Sequence, residues 1–164
     1  LGICYGMQMA IIEFARNKLK IKNATSSEID KKGISIVGLM NEWDKDGKKV
    51  KGTDKDLGGT MRLGSYDAKL KENTLIRKIY KSKIIKERHR HRYEVNISFM
   101  DKFEKNGLIF SGLSPDNKLP EIIELKNHPW FIGVQFHPEF KSRPFNPHPL
   151  FSSFIKAAKK KYAK

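Results

Sequence analysis

The chain has 164 residues, of which 38% are hydrophobic and 31% are charged. This length suits one globular domain with a substantial core, because a chain of about 150 residues buries roughly 70% of the surface that it exposes when unfolded. Its apolar runs are only a few residues long, whereas a membrane helix needs about 20, so we expect no membrane span. A single cysteine excludes an internal disulfide, and we expect a reducing, cytoplasmic location.

The formal net charge of +15 invites comparison with nucleic-acid-binding proteins. However, 26 of the 33 basic residues are lysines scattered along the chain, and isoleucine (17) and asparagine (9) are also abundant. The codon bias of an AT-rich genome would raise all three residue types without any selection for phosphate binding. We therefore expect a solvated basic surface and no nucleic-acid partner, although a diffuse positive field can speed encounters with anionic ligands.

The hydrophobic patterning predicts a mixture of strands and helices. The predicted strands are residues 1–3, 34–40, 60–63, 68–70, 108–112, 121–125 and 131–136. The predicted helices are residues 7–16, 75–80, 97–105 and a last helix that Pro149 opens and that runs into a lysine-rich tail. Residues 17–33 and 44–56 are polar and are predicted to be connections. Helices that follow strands in this way are typical of an α/β domain.

A first candidate chemical site has the pattern G-x-C-x-G, from Gly2 to Gly6, at a predicted strand-to-helix junction. In such an elbow the glycines permit a turn too tight for side chains, and the nucleophile is strained. The N-terminus of the following helix is expected to lower the pKa of the Cys4 thiol. The backbone N–H of Tyr5 is then placed to stabilise an oxyanion. On this pentapeptide alone, a small buried cysteine between unrelated glycines is an equally good interpretation.

A second candidate site reads His137-Pro138-Glu139 and follows an apolar strand. A cysteine nucleophile needs a base to take its proton, and the base needs an acceptor to orient it. His137 suits the first role and Glu139 the second, while the proline stiffens the turn between them. A lone histidine at a strand end would more often be structural. Together with the elbow cysteine, the pattern favours a catalytic pair.

Residues 1–8 and 133–139 together resemble the class I glutamine amidotransferases, in which the cysteine attacks the carboxamide of glutamine. The segments that look like the CTP synthase family in particular are residues 11–17, 56–64, 87–96 and 137–144. These motifs occur in the family's order, and the resemblance covers essentially the whole chain. It is therefore much more specific than either short motif alone.

The resemblance implies a three-layer, flavodoxin-like α/β fold with a central, mainly parallel sheet. Residues 1–164 would form part of the class I glutamine amidotransferase domain, beginning at the strand that carries the nucleophile. The earlier strands, a glycine-rich loop with a second oxyanion donor and the synthetase domain would lie outside this chain. The chain alone is therefore expected to be poorly active.

The resemblance also implies roles for single residues. Cys4 is the nucleophile, His137 the general base and acid, and Glu139 the carboxylate that orients the histidine. The residues expected to contact L-glutamine are Tyr5, Gly6, Met7, Gln8, Glu28 and Arg92. Tyr5 departs from the leucine that is usual in the family, which is harmless if only its backbone N–H is used.

The partners implied by the resemblance lie mostly in the synthetase domain. There, ammonia released from glutamine aminates UTP to CTP at the expense of ATP, with Mg as the metal, GTP as an effector and a homotetramer as the assembly. We expect no cofactor and no metal within this chain itself.

The run Arg-His-Arg-His-Arg at residues 88–92 imitates a nucleic-acid or metal motif. On a strand, its arginines face one way and its histidines the other. With no cysteine and no nearby carboxylate pair it makes a poor zinc site, so the residues alone favour a surface strand. The resemblance assigns Arg92 to the carboxylate of glutamine, which a guanidinium fork suits, and Glu28 to its ammonium group.

Two further segments are charged or glycine-rich. Residues 56–64 are predicted to form a hairpin turn, and the resemblance places them near the junction with the synthetase domain. Lysines 159–161 are interpreted as a solvated helix end, where cations suit the helix dipole.

Three functional interpretations remain in competition. An amidotransferase segment of a CTP synthase is favoured. A different Cys-His hydrolase on the same scaffold, such as a γ-glutamyl peptidase, fits less well because of residues 89–96 and 140–144. A charge-driven nucleic-acid-binding module would reveal itself by salt-dependent binding to random DNA.

Overall fold

The computed structural model describes residues 1–39 and 61–162. The predicted connection 44–56 and most of the segment 56–64 lie outside these ranges. The strands are β1 (Gly2–Ile3), β2 (Ala24–Ser26), β3 (Ile34–Leu39), β4 (Arg62–Leu70), β5 (Ile84–His91), β6 (Tyr93–Val95), β7 (Leu108–Leu113), β8 (Pro120–Leu125) and β9 (Ile132–Val134). The helices are α1 (Tyr5–Asn17), α2 (Leu75–Tyr80), α3 (Met100–Lys105) and α4 (Pro149–Tyr162).

Six strands form one sheet in the order β1-β9-β8-β7-β4-β5. β1 and β9 run parallel, with Gly2 opposite Gly133 and Ile3 opposite Val134. The other strand pairs that the structure describes in this sheet are antiparallel. The prediction of a mainly parallel sheet is therefore wrong for the described residues: the sheet is mixed, and its parallel pair leads into the cysteine.

Connection length explains two of the antiparallel pairs, β7–β8 and β8–β9. Residues 114–119 join β7 to β8, and residues 126–131 join β8 to β9. A parallel pair usually needs a crossover of about a dozen residues or more, whereas a short loop commonly turns the chain straight back. The pair β4–β5 is antiparallel although a longer connection that contains α2 joins the two strands. β1 and β9 lie near opposite ends of the sequence, so the chain between them is long enough for a parallel pairing.

A second sheet of three strands has the order β2-β3-β6, with β2 and β3 parallel and β3 and β6 antiparallel. β2 lies within residues 17–33, which were predicted to be a polar connection, and that prediction is wrong at this point. Three residues are too few to show a strand periodicity in sequence. β2 is specified instead by pairing with β3 and by burial of all three of its residues.

Hydrophobic cores lie on both faces of the six-stranded sheet. Successive residues of a strand point to opposite faces, so Ile123 of β8 joins one core and Ile122 the other. The core beneath α1 and α3 includes Met7, Ile11, Phe14, Val37 and Phe103. The core beneath α2 and α4 includes Ile76, Trp130, Ile132, Phe136 and Leu150. Helices therefore cover both faces, which confirms the α/β class.

The predicted helices are confirmed, with small shifts at their ends. α1 begins at Tyr5, two residues earlier than predicted, and α2 has the predicted bounds. The predicted helix 97–105 is a 3₁₀ turn at Ile97–Phe99 followed by α3. The short strands predicted on either side of Gly64 are one strand, β4, in which Gly64 adopts a φ of 109°.

Candidate active site

Cys4 occupies the turn between β1 and α1, as the elbow motif predicts. Its backbone lies at φ 50° and ψ −104°, a conformation that costs a side-chain-bearing residue of order 1–3 kcal/mol. The turn is held in place by hydrogen bonds: the Cys4 N–H donates to Val134 O (2.7 Å), and Met7 N–H donates to Cys4 O (3.1 Å). The Cys4 side chain is therefore presented at the start of a helix by a strained backbone conformation.

The two glycines of the elbow have different roles. A Cβ on Gly2 would lie 2.9 Å from the carbonyl carbon of Gly6, so any other residue at this position would force backbone atoms to move. A Cβ on Gly6 would meet nothing within 4 Å, and Gly6 itself is exposed. The expectation that the turn excludes side chains on both sides is confirmed at Gly2 and is wrong at Gly6.

The parallel pairing of β1 with β9 brings the two sequence motifs together. Because Ile3 lies opposite Val134, Cys4 and Gln135 follow side by side at the same edge of the sheet. Gln135 Nε2 donates to Cys4 Sγ over 3.6 Å. His137 lies two residues further along the same segment. The sheet register thus brings residues more than a hundred positions apart to one edge.

His137 is oriented by the carboxylate that the motif predicts. Its Nδ1 lies 2.6 Å from Glu139 Oε1, across the 3₁₀ turn Pro138–Phe140. A carboxylate can only accept, so Nδ1 donates and Nε2 is left unprotonated in the neutral ring. Nε2 is buried, and the described residues offer it no hydrogen-bond partner. The imidazole therefore has a free basic nitrogen, which is what a general base requires.

The second motif is also anchored to the neighbouring strand β5. The His137 N–H donates to Arg88 O (2.8 Å). Glu87, which is buried, accepts from Tyr80 Oη (3.1 Å) and Lys141 Nζ (3.3 Å), and its Oε1 lies 3.0 Å from His148 Nε2. Lys141 and His148 are on the loop that carries the motif, so Glu87 fixes this loop to β5. In the sequence, the alternation of a strand places Glu87 on the same face of β5 as His89 and His91, and this is the one signal that Glu87 is buried.

The Cys4 thiol is not activated at rest in the way that the helix dipole suggests. Burial raises its pKa above the ordinary value, and the charges of Glu94 and Glu139 raise it further. Hydrogen bonds from the Tyr5 N–H and from Gln135 act in the opposite direction. The expectation of a lowered pKa is therefore wrong. The surroundings of Cys4 favour the protonated thiol over the thiolate.

Cys4 opens into a pocket of about 210 Å³. Four of the six residues predicted to contact a ligand line it together with Cys4, namely Tyr5, Gln8, Glu28 and Arg92. The wall is completed by Arg90, His91 and Tyr93. Met7 is fully buried in the core beneath α1, and neither Met7 nor Gly6 is among the residues that line this pocket. The lining includes both an acidic and a basic side chain, which suits a zwitterionic amino acid.

The alternation predicted for residues 88–92 is confirmed: arginines 88 and 90 are exposed, and His89 and His91 are buried. The buried histidines make the surface-strand interpretation wrong for that face. Tyr93 O can only accept, so His91 donates to it from Nδ1 (3.1 Å) and accepts at Nε2 from His89 Nδ1 (2.8 Å). Burial, followed by the charge of Arg62, lowers the pKa of His89 to about 2 and that of His91 to about 3. Both rings are therefore neutral.

A buried ionic cluster, which the sequence did not reveal, lies behind these histidines. Arg62 Nη1 lies 2.8 Å from Glu121 Oε1 and 3.2 Å from Glu94 Oε1. Burial raises the pKa of Glu94 to about 8, and burial also raises that of Glu121. One guanidinium thus faces two carboxyl groups that resist ionising together. The three residues come from β4, β6 and β8, so only the folded sheets bring them together.

The described residues contain no helix long and apolar enough to cross a membrane. Within the same ranges there is also no group of three or more histidine, cysteine, aspartate or glutamate side chains arranged to hold a metal ion.

Comparison with known proteins identifies the class of domain that this fold and site define. Residues 1–157 match the family model of the class-I glutamine amidotransferases. The chain belongs to that family, which confirms the family resemblance; the α/β fold expected from it is present with a mixed sheet instead of a mainly parallel one.

The chain is also similar to individual CTP synthases. It is 87% identical to CTP synthase of Pelagibacter ubique over 97% of this chain and 30% of the relative. It is 61% identical to CTP synthase of Hyphomonas neptunium over 97% of this chain and 29% of the relative. The chain thus spans about three-tenths of the length of these curated relatives.

Solved structures agree with this result. The glutaminase domain of Trypanosoma brucei CTPS with bound acivicin superposes with a TM-score of 0.82 at 37% identity, over 97% of this chain and 59% of that chain. A second solved structure, from Thermoplasma acidophilum and assigned to GMP synthase, has a TM-score of 0.56 at 16% identity, over 99% of this chain and 58% of that chain, and shows the same fold.

Proposed function

We propose that this chain is the glutamine-hydrolysing part of a CTP synthase and that Cys4, His137 and Glu139 form its catalytic triad. The observation that carries the proposal is the adjacency of Cys4 to the β9 segment, together with the 2.6 Å contact between His137 and Glu139. The 87% identity to a CTP synthase supports the choice of enzyme within the family.

L-Glutamine suits the pocket beside Cys4 by charge. Arg92 binds the substrate carboxylate, and Glu28, exposed at the pocket wall, binds its ammonium group. The side-chain carboxamide then reaches Cys4, beside Tyr5 and Gln8. Gly6 and Met7 contribute as backbone of the same helical turn.

The reaction divides into two acyl transfers. His137 Nε2 takes the thiol proton of Cys4, and Sγ attacks the carboxamide carbon to give a tetrahedral oxyanion, which the Tyr5 N–H stabilises. When the C–N bond breaks, His137 returns the proton to the departing nitrogen, and ammonia leaves a γ-glutamyl thioester on Cys4. Water then gives a proton to His137 and attacks the thioester, releasing glutamate and regenerating the thiol. Glu139 holds the ring in the required tautomer throughout.

The ammonia would be used elsewhere in the complete enzyme. We propose that it aminates UTP to CTP in a synthetase domain that uses ATP and Mg and responds to GTP. We further propose that the complete enzyme is a homotetramer in the cytoplasm. The close relatives, about three times longer than this chain, support such a two-part enzyme.

The proposal is tested by Cys4→Ala in the full-length protein that contains this chain. We expect glutamine-dependent CTP formation to be lost, while the reaction supplied with external ammonia continues at a rate close to that of the wild type. The ammonia-dependent rate is the matched control, because it requires the folded enzyme but no nucleophile at Cys4. Equal loss of both activities would make Cys4 a structural residue and contradict the proposal.

A further inference from the structure

Gln135 is a fully buried polar side chain that neither the elbow motif nor the His-Pro-Glu motif explains. It lies between the nucleophile and helix α1. Its Nε2 donates to Cys4 Sγ over 3.6 Å, and its Oε1 accepts from Gln8 Nε2 over 3.2 Å. Both ends of the amide are therefore used, and one end touches the reacting atom.

The direction of this amide is fixed by the chain of hydrogen bonds behind it. Gln8 Nε2 also donates to Tyr93 O over 2.9 Å. A carbonyl oxygen can only accept, so Gln8 must present its NH₂ group to both Tyr93 and Gln135. Gln135 must then present its oxygen to Gln8 and its NH₂ group to the sulfur. A flipped Gln135 amide would place its NH₂ group against the NH₂ group of Gln8, two donors with no acceptor between them.

We infer that Gln135 is a catalytic hydrogen-bond donor that holds Cys4 Sγ in place and stabilises its anion when His137 removes the proton. The inference rests on the proposed role of Cys4 as nucleophile and adds a residue to that site. The relay Tyr93–Gln8–Gln135–Cys4 also joins the pocket wall to the sulfur, so the sulfur is positioned through Tyr93, the neighbour of the Arg92 that is proposed to bind substrate.

The surroundings of the sulfur make such a donor necessary. Cys4 is half-buried, and burial together with the charges of Glu94 and Glu139 disfavours its thiolate. A hydrogen bond to a charged group contributes more than one between neutral groups, because the low local dielectric strengthens it. The Gln135 N–H, placed before the reaction begins, therefore offsets part of the cost of the anion.

Alkylation by iodoacetamide of the full-length protein that contains this chain, measured as a function of pH, tests the inference directly. Mass spectrometry of the peptide that contains Cys4 follows the alkylation at this residue alone, so the rate reports the Cys4 thiolate. Gln135→Met keeps the length of the side chain but removes the donor, and we expect the thiolate population at neutral pH to fall about tenfold. Gln135→Glu keeps an acceptor for Gln8 and places a carboxylate beside Sγ. The pH at which alkylation of Cys4 reaches half its maximal rate, the midpoint, should therefore rise at least as far as in Gln135→Met.

The two substitutions also separate a chemical role from a packing role. If Gln135 only filled space, Gln135→Met would change how quickly Cys4 is alkylated at every pH but would leave the midpoint where it is in the wild type. Unchanged midpoints in both variants would overturn the inference. If one variant fails to fold, as judged by circular dichroism, the midpoint of the other decides.

Cys4→Ala distinguishes this inference from the proposed function. If that variant loses glutamate release while both Gln135 variants keep the wild-type midpoint, the inference fails and the nucleophile assignment stands. If Cys4→Ala releases glutamate like the wild type, the proposed function fails whatever the alkylation shows.

Discussion

At the scale of single residues, Cys4 combines a strained backbone with the proposed role of nucleophile. Its φ of 50° lies where side-chain-bearing residues are disfavoured, and the parallel pair β1–β9 and helix α1 hold it there. Strain of this kind is found where the backbone must present a reactive group. The G-x-C-x-G pattern predicted the position of this turn. It did not predict the raised pKa, because the burial and the carboxylates responsible come from other parts of the fold.

The strain can be measured by comparing Cys4→Gly with Cys4→Ala. Glycine adopts a positive φ without penalty, so we expect Cys4→Gly to exceed Cys4→Ala by about 1 kcal/mol in the free energy of unfolding, measured by urea denaturation. Both variants lack the Cys4 thiol, so the comparison isolates the effect of the backbone conformation. If alanine proved the more stable residue, as at an ordinary helix start, Cys4 would not be strained.

At the scale of elements, the elbow depends on close contact between β1 and the first turn of α1. Gly2 is the position where that contact leaves no room for a Cβ, and Gly6 faces open space. The sequence marks both with the same residue type. The structure distinguishes them, because the distance between two backbone segments is a property of the packed elements.

Gly2→Ala and Gly6→Ala form a matched pair that tests this difference. We expect Gly2→Ala to lower the free energy of unfolding by about 1–3 kcal/mol, since backbone atoms would have to move. Gly6→Ala should be neutral or should stabilise α1 by up to about 1 kcal/mol, because alanine is the better helix former. Thermal or urea unfolding of both variants measures the effect. Equal losses at the two positions would contradict the assignment.

The elements that sequence patterns predicted best are those with a local signal. α2 and α4 begin at the predicted residues because Thr74 and Pro149 mark their starts. β2 and the direction of most strands were missed, since pairing with distant partners and the length of connections decide them. In the site, the paired motifs predicted the positions of Cys4 and His137, whereas Gln135, Glu87 and the Arg62 cluster have meaning only once the strands are assembled.

At the scale of the whole molecule, the buried histidines link stability to pH. The pKa values of His89 and His91 are lowered to about 2 and about 3 in the folded protein, against about 6.5 in an unfolded chain. Below pH 6.5 these two histidines therefore bind protons in the unfolded chain but stay neutral in the folded protein. Their contribution to stability is complete above pH 6.5 and is lost as the pH falls toward 3, by up to about 1.4 kcal/mol per pH unit for each ring.

His89→Gln should reduce the slope of the unfolding free energy against pH between pH 3 and 4.5. The reduction corresponds to about one proton, which is about 1.4 kcal/mol per pH unit. In that range the carboxyl of Glu94, with its raised pKa, is protonated in the folded protein. Its titration in the unfolded chain, at about pH 4.3, is common to wild type and variant and cancels when the two are compared. The difference in unfolding free energy between wild type and variant, followed by urea denaturation at each pH, isolates the histidine. Parallel curves for the two proteins would show that His89 titrates normally in the fold.

Acivicin, an electrophilic amino acid, can show whether Cys4 is the nucleophile of a glutamine-hydrolysing site, once mass spectrometry has located the adduct. We expect one adduct, on the peptide that contains Cys4, which L-glutamine suppresses and which Cys4→Ala abolishes. Labelling that persists in Cys4→Ala, or that L-glutamine does not reduce, would mean that Cys4 is not that nucleophile.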